Sequence, residues 1–248
     1  MRAWKRAMLL PWTNKVNYTQ IVQQIAAANL IAYWPLAEAA GATVALDASG
    51  NGCNGAYTAV TLGVAGIGDG RTAASFDGST SFNNIYSASL QTVFNGGEGT
   101  VALWIKVSGA GVWTDGVQRR FFRLSTTGTD FMYVRKDTTN GQMLFNYAPS
   151  GASKSVTVNS LSSVGWLHIA MTWSKSADQM KAYINATQQG STQTGLGDWV
   201  GTLLSNTATM IGAADTTPNN VWSGSIAHAA IWTTPLSAAQ ILTLVAVP

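Results

Sequence analysis

The chain has 248 residues, of which 46% are hydrophobic and only 10% charged, with a formal net charge of +3. No apolar run approaches the roughly 20 residues that a membrane helix needs, and so small a charge excess does not argue for nucleic acid. A single cysteine, Cys53, excludes an intrachain disulfide and a cysteine-based zinc site. With so few charges, Ser, Thr, Asn, Gln and Gly must keep the surface wet, which suits strand faces and turns better than long solvent helices. A single all-β domain is expected, because sandwiches commonly reach this length.

Residues 1–16 form a basic lead containing Arg2, Lys5, Arg6 and Lys15, with Trp4 and Trp12 among them. The opening resembles a signal peptide, but its apolar stretch Ala7 to Leu10 is too short and no small-residue cleavage pattern follows. Folding in a reducing compartment without a cleaved signal is therefore expected. Asn17 followed by Gln20 is a helix-start pattern. Ile21, Val22 and Ile25 would form one apolar stripe on a short helix ending near Asn29. That helix either plugs one end of the domain or belongs to an arm, residues 1–29, that docks on a neighbour through Trp4, Lys5, Arg6 and Trp12.

From Leu30 the texture changes to short strands and turns. Leu30 to Trp34 reads as a strand, and Pro35 marks an edge or a strand end. Asp47 to Gly52 and Gly63 to Gly70 are turn-rich. Strands follow at Ala73 to Phe76, Thr100 to Val107, Phe121 to Leu124, Phe131 to Arg135, Met143 to Tyr147 and Ser155 to Val158. In Trp166 to Asn185, Leu167, Ile169, Met171 and Trp173 alternate with Trp166, His168, Ala170 and Thr172. After Ser174 to Gln179, Met180, Ala182 and Ile184 take up the same period of two. This is a β-hairpin with one apolar face per strand, which a second layer must cover. Thr209 to Gly212 and Ser225 to Trp232 are the last strands. Ser237 with Gln240 then caps a closing helix that carries Ile241, Leu242 and Leu244. Many short strands and two small helices predict an all-β, two-sheet antiparallel jelly-roll sandwich, residues 30–248.

In their order, these segments resemble the laminin G-like, concanavalin A-like superfamily of lectin and glucanase jelly rolls, which includes pentraxins. The residues that carry the likeness are Ala32 to Leu36, Asp47 to Gly52, Ala74 to Gly78, Thr100 to Trp104, Trp166 to Thr172 with Ala182 to Asn185, Gly224 to Ile226 with Ile231-Trp232, and Leu236-Ser237. The lead helix with Ala32 to Leu36 also looks like the entry to such domains in bacteriophage virion proteins. The resemblance implies calcium as a candidate ligand, for which Asp47, Asp69 and Asp77 would supply carboxylates. Two departures stand out: Ala227-His228 replaces an acidic position, and Asn185-Ala186 replaces an Asp-Gly turn.

The chemistry of catalysis is thin. Glycosidases of this fold use paired carboxylates, yet only two glutamates, Glu38 and Glu98, occur, far apart in turn-like surroundings. No nucleophile elbow, phosphate loop or dinucleotide fingerprint is present. His168 reads as a hydrogen-bonded strand residue, and His228 as facing a sheet surface or interface. Trp34, Trp104, Trp166, Trp173 and Trp232 lie in strands and read as core. Trp113, Trp199 and Trp222 lie in loops, where each can pack locally, anchor a subunit contact or stack on a sugar. Asp215, Asn219 and Asn220 are candidate glycan contacts beside them. Arg119, Arg120 and Arg123 read as a solvated strand edge, with an anion contact as the alternative.

The expectation is thus a non-catalytic structural or recognition protein on a phage virion, either capsid decoration or tail appendage. It would be made in the host cytoplasm and would contact capsid or tail proteins and sister subunits, as a trimer by family resemblance. No cofactor is required in this reading, and neither nucleic acid nor membrane is a partner. A free, extracellular carbohydrate-binding module that recognises cell-surface glycans is the alternative, and a glycoside hydrolase is the least favoured.

Overall fold

Asn17 opens the part of the chain described by the computed structural model, residues 17–246, as a helix cap. Its side chain accepts from the Gln20 N–H while the Gln20 side chain returns the bond, so the expected capping box forms around α1 (Tyr18–Gln24). The helix is shorter than expected. Ile25 leaves helical geometry, and a 3-10 turn, Ala27–Asn29, leads into the first strand. The docking residues Trp4, Lys5, Arg6 and Trp12 lie outside the described residues.

Two antiparallel sheets follow. The first contains β1 (Leu30–Trp34), β4 (Thr61–Ala65), β5 (Thr72–Asp77), β7 (Glu98–Val107), β12 (Leu167–Ser174), β13 (Gln179–Ile184), β14 (Thr187–Gln193) and β16 (Ser223–Trp232). Its order is β14-β13-β12-β7-β16-β5-β4, and β1 pairs with β16 alone, as Pro35 after it suggested. The second contains β2 (Val44–Ala45), β3 (Gly55–Thr58), β6 (Phe82–Asn84), β8 (Arg119–Ser125), β9 (Phe131–Lys136), β10 (Met143–Ala148), β11 (Lys154–Val158) and β15 (Met210–Ile211). Its order is β11-β10-β9-β8-β15-β6-β3-β2. Between β6 and β7 lies a short helix, α2 (Ala88–Val93), not expected from the sequence. Ser87 caps it and Leu90 ties it to the core.

The alternation read from the hairpin holds. Leu167, Ile169, Met171 and Trp173 from β12, with Met180, Ala182 and Ile184 from β13, enter the core between the sheets, where they meet Phe122, Leu124, Val134 and Phe145. The expectation of one apolar face per strand is corrected, because every residue of β12 is buried. The opposite face of the first sheet bears Tyr33, Trp104, Ala170, Tyr183 and Trp232. These pack under α1 and α3 (Ala238–Val245), making a third layer. Tyr18 binds that layer together. Its hydroxyl donates to the Leu244 carbonyl at 2.8 Å and accepts from the Trp104 indole N–H at 2.7 Å. Helix α1 therefore covers its own sheet; it neither plugs an end of the sandwich nor extends as an arm. Its buried stripe is Tyr18 and Val22 with Ile25 beside them, and Ile21 is only half-buried. On α3, Ile241 and Leu244 face inward while Leu242 is exposed.

Candidate functional site

The chain has eleven acidic side chains, and each one is engaged within the fold by a hydrogen bond or an ion pair. Asp47 takes the N–H groups of Tyr33, Ser49 and Cys53, and Asp77 takes those of Ser79, Thr80 and Ser81 with two hydroxyls. Asp130 takes Ser150 and Gly201, and Asp178 takes Gly195 and Leu196. Glu38 serves Leu46 and Tyr57, and Glu98 serves Ser174 and Ser176. Asp115 bridges Arg119 and Lys136, Asp137 pairs with Arg135, and Asp198 pairs with Lys175. Asp69 meets the Arg71 N–H and His228, and Asp215 holds Thr217 and Asn219.

Where the fold perturbs a carboxylate, at Asp69, Asp77, Glu98, Asp115, Asp137 and Asp178, its pKa moves down. Burial opposes ionisation at most of them, and the hydrogen bonds and neighbouring cations outweigh it. A glycosidase acid needs the opposite shift.

The calcium expectation fares similarly. Asp47, Asp69 and Asp77 are not brought together, and no group of three or more His, Cys, Asp or Glu side chains fit to hold a metal occurs among the described residues. An ion at Asp47 or Asp77 would have to displace N–H and O–H donors that point at those oxygens.

Two of the three loop tryptophans are corrected by their burial. Trp113 is 2% exposed and donates to the Ser163 carbonyl; Trp222 is fully buried, edge-on to Phe121 at 4.5 Å. Neither ring is open to a sugar, because the loops that carry them fold back over the core. Trp199 is only half-buried. It stacks beside Tyr147, meets Phe94 edge-on, and borders a cavity of about 350 Å³ with Gln91, Asn95 and Thr202. Gly96 is needed beneath it, since a Cβ there would lie 2.1 Å from the indole ring.

His168 is the hydrogen-bonded strand residue expected, through its backbone to Asn185, whereas His228 departs from its reading. His168 is buried against Trp104, and its Nδ1 has no hydrogen-bond partner. His228 lies beneath α1 rather than on a surface or interface. Its Nδ1 contacts the Tyr33 hydroxyl at 2.7 Å and its Nε2 lies 3.1 Å from Asp69.

The strongest concentration of uncommitted polar chemistry is on the outer face of the second sheet. There Met132 and Val134 point inward, so Phe131, Tyr133 and Arg135 point out, and all three are half-buried. Register places Arg120 opposite Arg135, and Arg123 and Asn146 on either side of Tyr133. The Arg120 guanidinium lies over the Tyr133 ring, 3.6 Å from its centre, and Arg135 is 5.1 Å away.

The solvated-edge reading of these arginines is corrected. Strand β8 sits between β9 and β15, and Arg120 is only 9% exposed. One border of this face is the 213–221 loop. The backbone N–H of Arg120 donates to the Asn220 carbonyl, and the guanidinium groups of Arg123 and Arg119 donate to the carbonyls of Ala214 and Val221. Asp215, Asn219 and Asn220 are thereby brought to its rim, well apart from Trp113 in the core. The arginine run was visible in the sequence; only the strand order revealed that it is central.

Residues 77–242 match the sequence profile of the concanavalin A-like lectin/glucanases superfamily, laminin G type. No curated protein sequence matches the chain. Among solved structures, domain 4 of the arabinanase AbnA from Geobacillus stearothermophilus, in complex with arabinotriose, aligns at a TM-score of 0.63 and 16% identity, covering 88% of this chain and 98% of that one. Trypanosoma rangeli sialidase in complex with sialic acid aligns at 0.67 and 14%, covering 88% of this chain but 33% of the enzyme. The botulinum neurotoxin serotype D binding domain aligns at 0.61 and 15%, with 88% and 51% covered. At such identities these likenesses speak for the fold alone. With the profile match spanning most of the sandwich, the chain belongs to the concanavalin A-like lectin/glucanases superfamily.

Proposed function

We propose that this chain is a non-catalytic recognition module that binds carbohydrate on the outer face of its second sheet, and that it works on a virion surface. The observation that carries the non-catalytic part is the commitment of all eleven carboxylates to structural hydrogen bonds or ion pairs, with every resolved shift downward. None of those six shifts is the upward one that a general acid working near neutrality needs. Support for carbohydrate comes from the half-buried aromatics and arginines of that face, and from the arabinotriose complex of a domain that aligns with this chain over 98% of that domain's length. The virion setting rests on the sequence resemblance. Attachment would fall to residues 1–16, since α1 is occupied by its own sheet.

A glycan array probed with and without a chelator tests this reading. Binding that survives chelation, with no released reducing ends, is expected. Silence across neutral and acidic glycans, or turnover of a bound one, would overturn it.

A further inference from the structure

We propose that the outer face of the second sheet takes an oxyanion carried on a saccharide, a carboxylate or a sulfate, with Arg123 and Arg135 reaching it and Arg120 adding charge from below. The inference rests on the glycan-recognition reading and names the class of glycan.

Buried guanidinium groups normally spend their donors on carboxylates or carbonyls. On this face several of those donors are left over, although Arg123 does reach the Ala214 carbonyl and Arg135 reaches Asp137. Arg120 is nine-tenths buried, yet its Nε and Nη1 have no partner, and the Nε atoms of Arg123 and Arg135 are also unpaired. Among the described residues no carboxylate lies within 4 Å of Arg120 or Arg123. Arg135 has Asp137 at 2.8 Å, and Asp215 attracts Arg123 from further off. Three cations thus face two carboxylates. Burial, with the like charges of Arg135 and Arg123 adding to it against the opposing effect of Tyr133, pushes the Arg120 pKa down to about 10. An arriving anion relieves that repulsion in a partly desolvated setting, where charge-assisted bonds are strong.

The geometry is also organised in advance. The Tyr133 ring holds Arg120 flat against it, so little side-chain entropy is lost on binding. Next to the cations lie features suited to the rest of a sugar. Phe131 and Tyr133 stand parallel, 6.0 Å apart, and Asn146 keeps an unused carbonyl oxygen while its amide donates to Ser153. Phe131, half-buried beside the cations, offers apolar surface on which a sugar ring can rest.

Calorimetry on the full chain tests the inference with an oligogalacturonate, a sulfated heparin-derived oligosaccharide, neutral arabinotriose and inorganic sulfate. At least one acidic oligosaccharide should bind roughly tenfold or more tightly than the neutral one, and Arg123→Gln should remove roughly tenfold of that affinity, the usual scale for a charge-assisted bond. Arg135→Gln, more exposed than Arg120, is the second variant, and a thermal melt of each confirms folding. Equal binding of neutral and acidic sugars with no effect of either variant would sink the anion assignment and leave recognition standing. Binding of inorganic sulfate as tightly as any saccharide would remove the sugar from it. No binding by any glycan would overturn both readings.

Discussion

His168 gives the fold a pH dependence that can be worked out in advance. It sits in β12 opposite Trp104 on the helix-covered face, 1% exposed, with its ring edge-on to the indole at 5.1 Å and its Nδ1 unpaired. Burial pushes its pKa down from 6.5 to about 3, since nothing there compensates a charged imidazole. A depressed folded pKa means that the unfolded chain takes up the proton first. The stability it secures is therefore complete above pH 6.5 and is lost as pH falls toward 3. Linkage between those two values gives a loss of about 2 kcal/mol between pH 7 and pH 5, with a limiting slope of about 1.4 kcal/mol per pH unit. Urea denaturation at a series of pH values measures it, and His168→Leu provides the comparison, a neutral side chain of suitable size for an apolar site. The variant should lose about 2 kcal/mol less than the parent over that range. Equal pH slopes in the two proteins would refute the reasoning, since His228 and the carboxylates are common to both.

Three further outcomes follow from particular contacts. Tyr18→Phe leaves the Trp104 indole N–H and the Leu244 carbonyl without their partner, so it should cost about 2 kcal/mol and lower Tm by roughly 4–8 °C, read by calorimetry. Gly212→Ala demands a left-handed residue, φ +84°, whose Cβ would lie 2.2 Å from the Phe76 ring; a loss of about 3 kcal/mol or failure to fold is expected by denaturation. Asp130→Ala releases the N–H groups of Gly201 and Ser150, so the Trp199 loop should loosen, seen as a red-shifted fluorescence component and faster amide exchange at 199–201.

The framework was legible where the physics is local. The capping boxes at Asn17 and Ser237 depend on residues three apart, and the alternation in β7, β12 and β13 depends on side-chain direction alone. Strands without an apolar signature escaped. Strand β14 is TQQGSTQ at a sheet edge, β2 has two residues, and β4 bulges at Gly63. The candidate site was less legible because it depends on strand order. Arg119-Arg120 beside Arg123 looks the same in an edge strand as in a central one, and only the pairing of β8 with both β9 and β15 separates the two. Trp113 and Trp222 misled for a related reason. Their Gly- and Asn-bearing surroundings do describe loops, but long-range packing turned the indoles inward. The third layer was hidden too, since Ala170 and Ala102 give no hint that Tyr18 and Leu244 will cover them.

A single NMR titration of the labelled full chain with an acidic oligosaccharide, followed for several hours, tests recognition without turnover most directly. Shifts concentrated at Arg123, Tyr133, Arg135 and Asn146, with the ligand signals intact at the end, are the predicted result. Shifts confined to the helix-covered face, or new signals from a cleaved ligand, would contradict it.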